Sequence, residues 1–103
     1  FYQVSRIINR IHENCAKDFD VQDLAREAGM STTAFHTAFK NLTRTSPLQY
    51  LKNVRLHRAK ELIQIQGEKA NQAASIVGYE SATQFSREYK RFFGVTPGSP
   101  SLH

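Results

Sequence analysis

Two stretches of this 103-residue chain follow one plan: VQDLAREAGMSTTAFHTAFKNL, residues 21–42, and ANQAASIVGYESATQFSREYKRF, residues 70–92. Each has a small residue four positions before a Gly, then a Ser, then aromatics four apart. In the first these are Ala25, Gly29, Phe35 and Phe39; in the second, Ala74, Gly78, Phe85 and Tyr89. Two helices crossing at roughly 90–120° need a small residue at the crossing and a Gly in the turn. The plan therefore predicts two bihelical units, with one extra residue in the second turn. A chain of this length is expected to hold one compact domain and not two independent cores, so the duplicated units should share or bridge theirs.

The other elements follow from periodicity and capping. Val4, Ile7, Ile8, Ile11 and Cys15 recur at spacings of three and four, the stripe of a first helix, which makes Cys15 a core residue and not a catalytic one. Asp20 caps a second helix running to about Ala28, with Phe19 stapled onto Leu24. Gly29 ends it, and Ser31 caps a third helix over about 32–42 that buries Phe35, Ala38, Phe39 and Leu42. Ser46 and Pro47 open a long fourth helix that Gly67 ends, roughly 30 Å at 1.5 Å per residue. Its apolar residues read as two stripes, Leu48, Leu51, Leu56, Ala59, Leu62 and Ile63 on one, and Tyr50, Val54 and Ile65 on the other. A short helix over about 69–77 and a sixth from Ser81 to about Phe93, burying Phe85, Tyr89 and Phe92, complete an all-α fold. The count is six to seven helices: two helix-turn-helix subdomains, about 1–45 and 68–97, joined by a long linker helix, about 47–66, with a turn-rich tail over 98–103.

Composition narrows the partner. Fourteen Lys and Arg against nine Asp and Glu give a net charge of +5 and a pI near 9.7, which favours a polyanion. No apolar run approaches the roughly 20 residues a spanning helix needs, so no membrane partner is expected. A single cysteine, Cys15, excludes an internal disulfide and fits a reducing cytoplasm. His12, His36, His57 and His103 share no metal spacing with Cys15 or with carboxylates. No HExxH, glycine-rich phosphate loop or nucleophile elbow is present, so neither an enzyme nor a metal or cofactor site is expected. FYQVSRIINR opens without Met and reads as the start of a piece of a longer protein.

The tandem plan on a basic chain resembles the DNA-binding domain of the AraC/XylS family of bacterial transcriptional regulators, over about residues 1–97. AASIVGY followed by FSREYKRFFGVTP is its most specific stretch. The family's Arg-Leu-x-x-Ala-x-x-Leu-hydrophobic linker pattern is met by Arg55, Leu56, Ala59, Leu62 and Ile63. The resemblance implies that the second helix of each unit enters a major groove, both on one face of the duplex, so that a monomer reads an asymmetric site. The linker length is comparable to the roughly 34 Å between successive grooves. Three departures stand out: many members carry Arg where Thr37 stands, Ala70 and Ala73 replace larger aliphatics, and GSPSLH replaces a short final helix.

Candidate contacts lie off the aromatic stripes. On the first reading helix they are Thr32, Thr33, His36, Thr37 and Lys40, with His36 and Thr37 suited to bases and Lys40 to phosphate. On the second they are Thr83, Gln84, Ser86, Arg87, Lys90 and Arg91, with Arg87 suited to a guanine edge and Gln84 to adenine. Ser31 and Ser81 are helix caps whose helix N-termini also suit phosphate. Arg55 reads as an internal ion-pair partner. The implied partners are double-stranded DNA and RNA polymerase. The alternative is a basic helical module docking an acidic protein, which sequence-dependent DNA binding would distinguish.

Overall fold

The computed structural model describes residues 2–98, and the tail proposed for 98–103 lies outside them beyond Gly98. Six helices form in order: α1 (Tyr2–Glu13), α2 (Val21–Glu27), α3 (Thr32–Thr43), α4 (Pro47–Gln64), α5 (Ala70–Ile76) and α6 (Ala82–Phe93). There is no strand among the described residues.

Each boundary has a local cause. The Asp20 carboxylate accepts from the Gln22 N–H at 2.8 Å to open α2, and the Ser31, Ser46 and Ser81 hydroxyls accept at 3.2 Å from Ala34, Gln49 and Gln84 to open α3, α4 and α6. Lys69 precedes α5 with no side-chain cap, and that helix is seven residues long. After α2 the chain turns left-handed at Gly29 (φ 72°), with the Met30 N–H on the Ala25 carbonyl at 2.9 Å. Gly78 (φ 102°) and the Tyr79 N–H on the Ala74 carbonyl, also 2.9 Å, repeat that closure after α5.

The chain divides into two compact units, one up to Val54 and one from Arg55 onward. Contrary to the expectation of one shared core, each has its own. In the first, Val4, Ile7 and Ile11 of α1 meet Leu24, Ala25 and Ala28, Phe35 and Phe39 of α3, and Leu51 of α4. Cys15 and Phe19 are half-buried against this core. In the second, Leu56, Ala59 and Leu62 of α4 meet Ala73, Ala74 and Val77, then Phe85 and Tyr89 of α6.

The two stripes expected on α4 are accordingly divided along its length and not around it. Tyr50, Leu51 and Val54 pack into the first core; Leu56, Ala59, Leu62 and Ile63 pack into the second. Leu48, 53% exposed, and Ile65 lie outside both. The helix closes at Gln64, about 27 Å long at 1.5 Å per residue.

Two further burial expectations fail for one reason. Leu42 is 38% exposed and Phe92 42% exposed, each three residues after the last fully buried aromatic of its helix. Four residues on, the helix turns further toward the core, and that position goes inward instead. Thr43 is half-buried, its hydroxyl donating to the Phe39 carbonyl at 2.9 Å. Phe93 sets its ring 4.6 Å from Tyr89, with the Lys60 ammonium 4.8 Å above it.

Candidate nucleic-acid interface

The second helices of the two helix-turn-helix pairs keep one register. Every position from Ser31 to Pro47 has its counterpart fifty residues on, from Ser81 to Pro97, and both prolines are buried. Ala25 and Gly29 meet theirs forty-nine residues on, at Ala74 and Gly78, so the insertion sits in the second turn. Phe35 and Phe39 are 5.6 Å apart and fully buried; Phe85 and Tyr89, their counterparts, are 5.6 Å apart and buried as well. These rings fix which side of each helix looks outward.

On α3 the outward side carries Thr32, Thr33, His36, Thr37 and Lys40, all exposed. Ser31 is exposed but its hydroxyl serves the α3 cap. On α6, Thr83, Gln84, Arg87, Lys90 and Arg91 are exposed, and Ser81 again serves the cap. Ser86 departs from expectation: it is half-buried and lines an open hollow of about 450 Å³ together with Thr83, Arg87, Lys90 and two residues not anticipated, Ala82 and Thr96. Arg87 also borders a second hollow of about 400 Å³ with Gln84, Glu88 and Arg91.

The two faces differ in charge. Thr37 stands where the second unit has Arg87, and Asn41 where it has Arg91, so α6 presents three cations and α3 one. The sequence reading also missed Glu88. Its carboxylate accepts from the Tyr79 hydroxyl at 2.7 Å and from the Gln84 amide at 2.9 Å, so Gln84 is not a free side chain. The Gln84–Glu88 spacing of four was the available signal, since such pairs face each other on a helix. The Tyr79 hydroxyl is pushed well above its ordinary range, first by burial and then by Glu88. Arg55, 8% exposed, lies close enough to Tyr79 to oppose that shift.

A family profile described as a helix-turn-helix domain (HTH_18) matches residues 24–99. The chain belongs to the AraC-type helix-turn-helix family. It is a DNA-binding domain of the kind carried by these transcriptional regulators, a family that is not an enzyme class. Among relatives, the AlkR transcriptional regulator of Acinetobacter baylyi is 35% identical over 95 residues, covering 92% of this chain and 31% of that protein. The chain thus spans about a third of the length of the curated AraC-type relatives it matches. The DNA-binding domain of AdpA, solved in complex with a target DNA, superposes with a TM-score of 0.84 at 28% identity, covering 91% of this chain and 85% of the other. An AraC-type regulator from Chromobacterium violaceum gives 0.84 at 26% identity, covering 92% and 85%. Among the described residues no helix is long and apolar enough to cross a membrane, and no three His, Cys, Asp or Glu side chains gather as metal ligands.

Proposed function

We propose that the domain reads a bipartite DNA site by inserting α3 and α6 into successive major grooves. The observation that carries this reading is the pair of outward polar faces, each held opposite a buried aromatic pair on the second helix of its unit. His36 and Thr37 contact bases from α3; Thr32, Thr33 and Lys40 contact the backbone beside them. From α6, Arg87 grips a guanine edge through two hydrogen bonds and Gln84 an adenine edge, while Thr83, Ser86, Lys90 and Arg91 hold the flanking backbone. The backbone N–H groups opened by the Ser31 and Ser81 caps receive phosphates. The isolated domain binds as a monomer. In the whole regulator, a cytoplasmic protein, it works at promoters beside RNA polymerase.

Selection of bound sequences from a random duplex pool tests the proposal. Two half-sites with centres one helical turn apart, about 34 Å, are expected. Equal binding of the selected and a scrambled duplex at physiological salt would refute it.

A further inference from the structure

We propose that Glu88 is a positioning residue that fixes the Gln84 amide in the orientation that selects adenine; this rests on the reading above, in which Gln84 meets a base. Gln84 stands at the third position of α6, three after its Ser cap, where a Gln side chain ordinarily folds back toward the cap residue's N–H. Here it is drawn the other way. Its Nε2 donates to Glu88 Oε2 at 2.9 Å, while Glu88 Oε1 is occupied by the Tyr79 hydroxyl at 2.7 Å.

The chemistry of the pair fixes the amide's sense. A carboxylate oxygen only accepts, so the side of Gln84 turned to Glu88 must be its NH₂ group. The carbonyl oxygen and the second N–H are left for a base, and they lie on one edge when the N–H on the side away from that oxygen serves Glu88. An adenine edge offers N6–H₂ as donor beside N7 as acceptor, and this acceptor–donor pair matches it. Guanine offers two acceptors, O6 and N7, and leaves the carbonyl facing a lone pair. An untethered glutamine rotates to present either edge.

Glu88 is itself held. It is half-buried on α6, and Tyr79 anchors it from the turn that carries the extra residue, with the Tyr79 ring 5.2 Å from Phe85. The first unit has nothing equivalent, since Ala34 and Ala38 occupy the matching positions. The restraint therefore acts on one half-site alone.

The test is the base preference of the 103-residue chain, read from a random duplex pool for the parent and for Gln84→Ala, Glu88→Ala, Glu88→Met and Tyr79→Phe, with a melting curve for each. Gln84→Ala identifies the base position concerned by flattening it. At that position the parent is expected to favour adenine over guanine by about tenfold. Both Glu88 variants should reduce this to about twofold while the other positions keep their preferences; Glu88→Met keeps the bulk without an acceptor. Loss of a negative charge beside the DNA should raise affinity for all sequences equally, a change separable from preference. Tyr79→Phe removes the bond to Glu88 Oε1 and leaves Oε2 to hold the amide, so it should melt lower and keep most of the parent's preference. A parent-like adenine preference in the Glu88 variants overturns the inference, as does an equal flattening in Tyr79→Phe, which would make the effect one of loosened packing. If Gln84→Ala flattens no position, the base-reading role of Gln84 fails, and the inference with it.

Discussion

Replacing Arg44 by Gly should stabilise the protein. Arg44 closes α3 in the left-handed conformation, φ 66° and ψ 13°, and its N–H donates to the Lys40 carbonyl at 2.8 Å. It is the one described non-glycine residue with positive φ, and its counterpart in the second unit is Gly94, φ 84°. Left-handed backbone costs an L-residue roughly 1–2 kcal/mol, because Cβ crowds the following carbonyl. A glycine removes that crowding but adds freedom to the unfolded chain, worth roughly 0.4–1 kcal/mol against folding. The strain is the larger effect, and the net gain is about 0.5–1 kcal/mol. The exposed Arg44 side chain forfeits little packing. At about 4–8 °C per kcal/mol for a domain of this size, the melting temperature should rise by about 2–8 °C. Gly94→Ala is the reverse experiment: the added Cβ meets no atom within 4 Å, so no clash adds to the same balance of strain against unfolded-chain freedom, and melting should fall by a similar amount. An unchanged or lower melting temperature for Arg44→Gly, measured by circular dichroism, would refute the reasoning.

Three further outcomes follow from the interface and its network. Arg87→Ala should relax preference at one base position by roughly 1–3 kcal/mol, whereas Lys40→Ala or Lys90→Ala should weaken binding to all sequences and reduce the salt slope by about one, measured by titration at several salt concentrations. Thr37→Arg, which gives α3 the side chain its counterpart has on α6, should add a guanine preference to the first half-site in the same selection. Burial and Glu88 raise the Tyr79 hydroxyl above its ordinary value of 10.0, so below pH 10 both folded and unfolded chains keep the proton; above it the unfolded chain releases first and stability falls. Tyr79→Phe should therefore lose stability less steeply between pH 10 and 11 in denaturant titrations, although Tyr50 and Tyr89, raised by burial too, retain part of the slope.

The sequence made the helices and their outward faces legible because capping residues and glycine turns act locally. Asp20, Ser31, Ser46 and Ser81 announce helix starts within three residues of themselves, and Gly29 and Gly78 announce the ends. What periodicity alone did not resolve was depth. Leu42 and Phe92 satisfy an apolar stripe at least as well as Thr43 and Phe93 do, and only the packing at the helix end decides which pair turns inward. The apolar pattern of α4 likewise supports two stripes or two ends equally well until its packing partners are known. For Glu88 the spacing of four from Gln84 was legible, whereas its bond to Tyr79, nine residues earlier and across a turn, leaves no mark in the sequence pattern.

The change of partners along α4 bears on how such regulators can be rebuilt. Leu51 belongs to one cluster of apolar side chains and Leu56 to the other, so a splice between Val54 and Arg55 would sever no core. Genetic exchange at that junction would transplant a helix-turn-helix together with its own interior. Under the bipartite reading proposed above, such a cassette respecifies one half-site while the other is inherited unaltered.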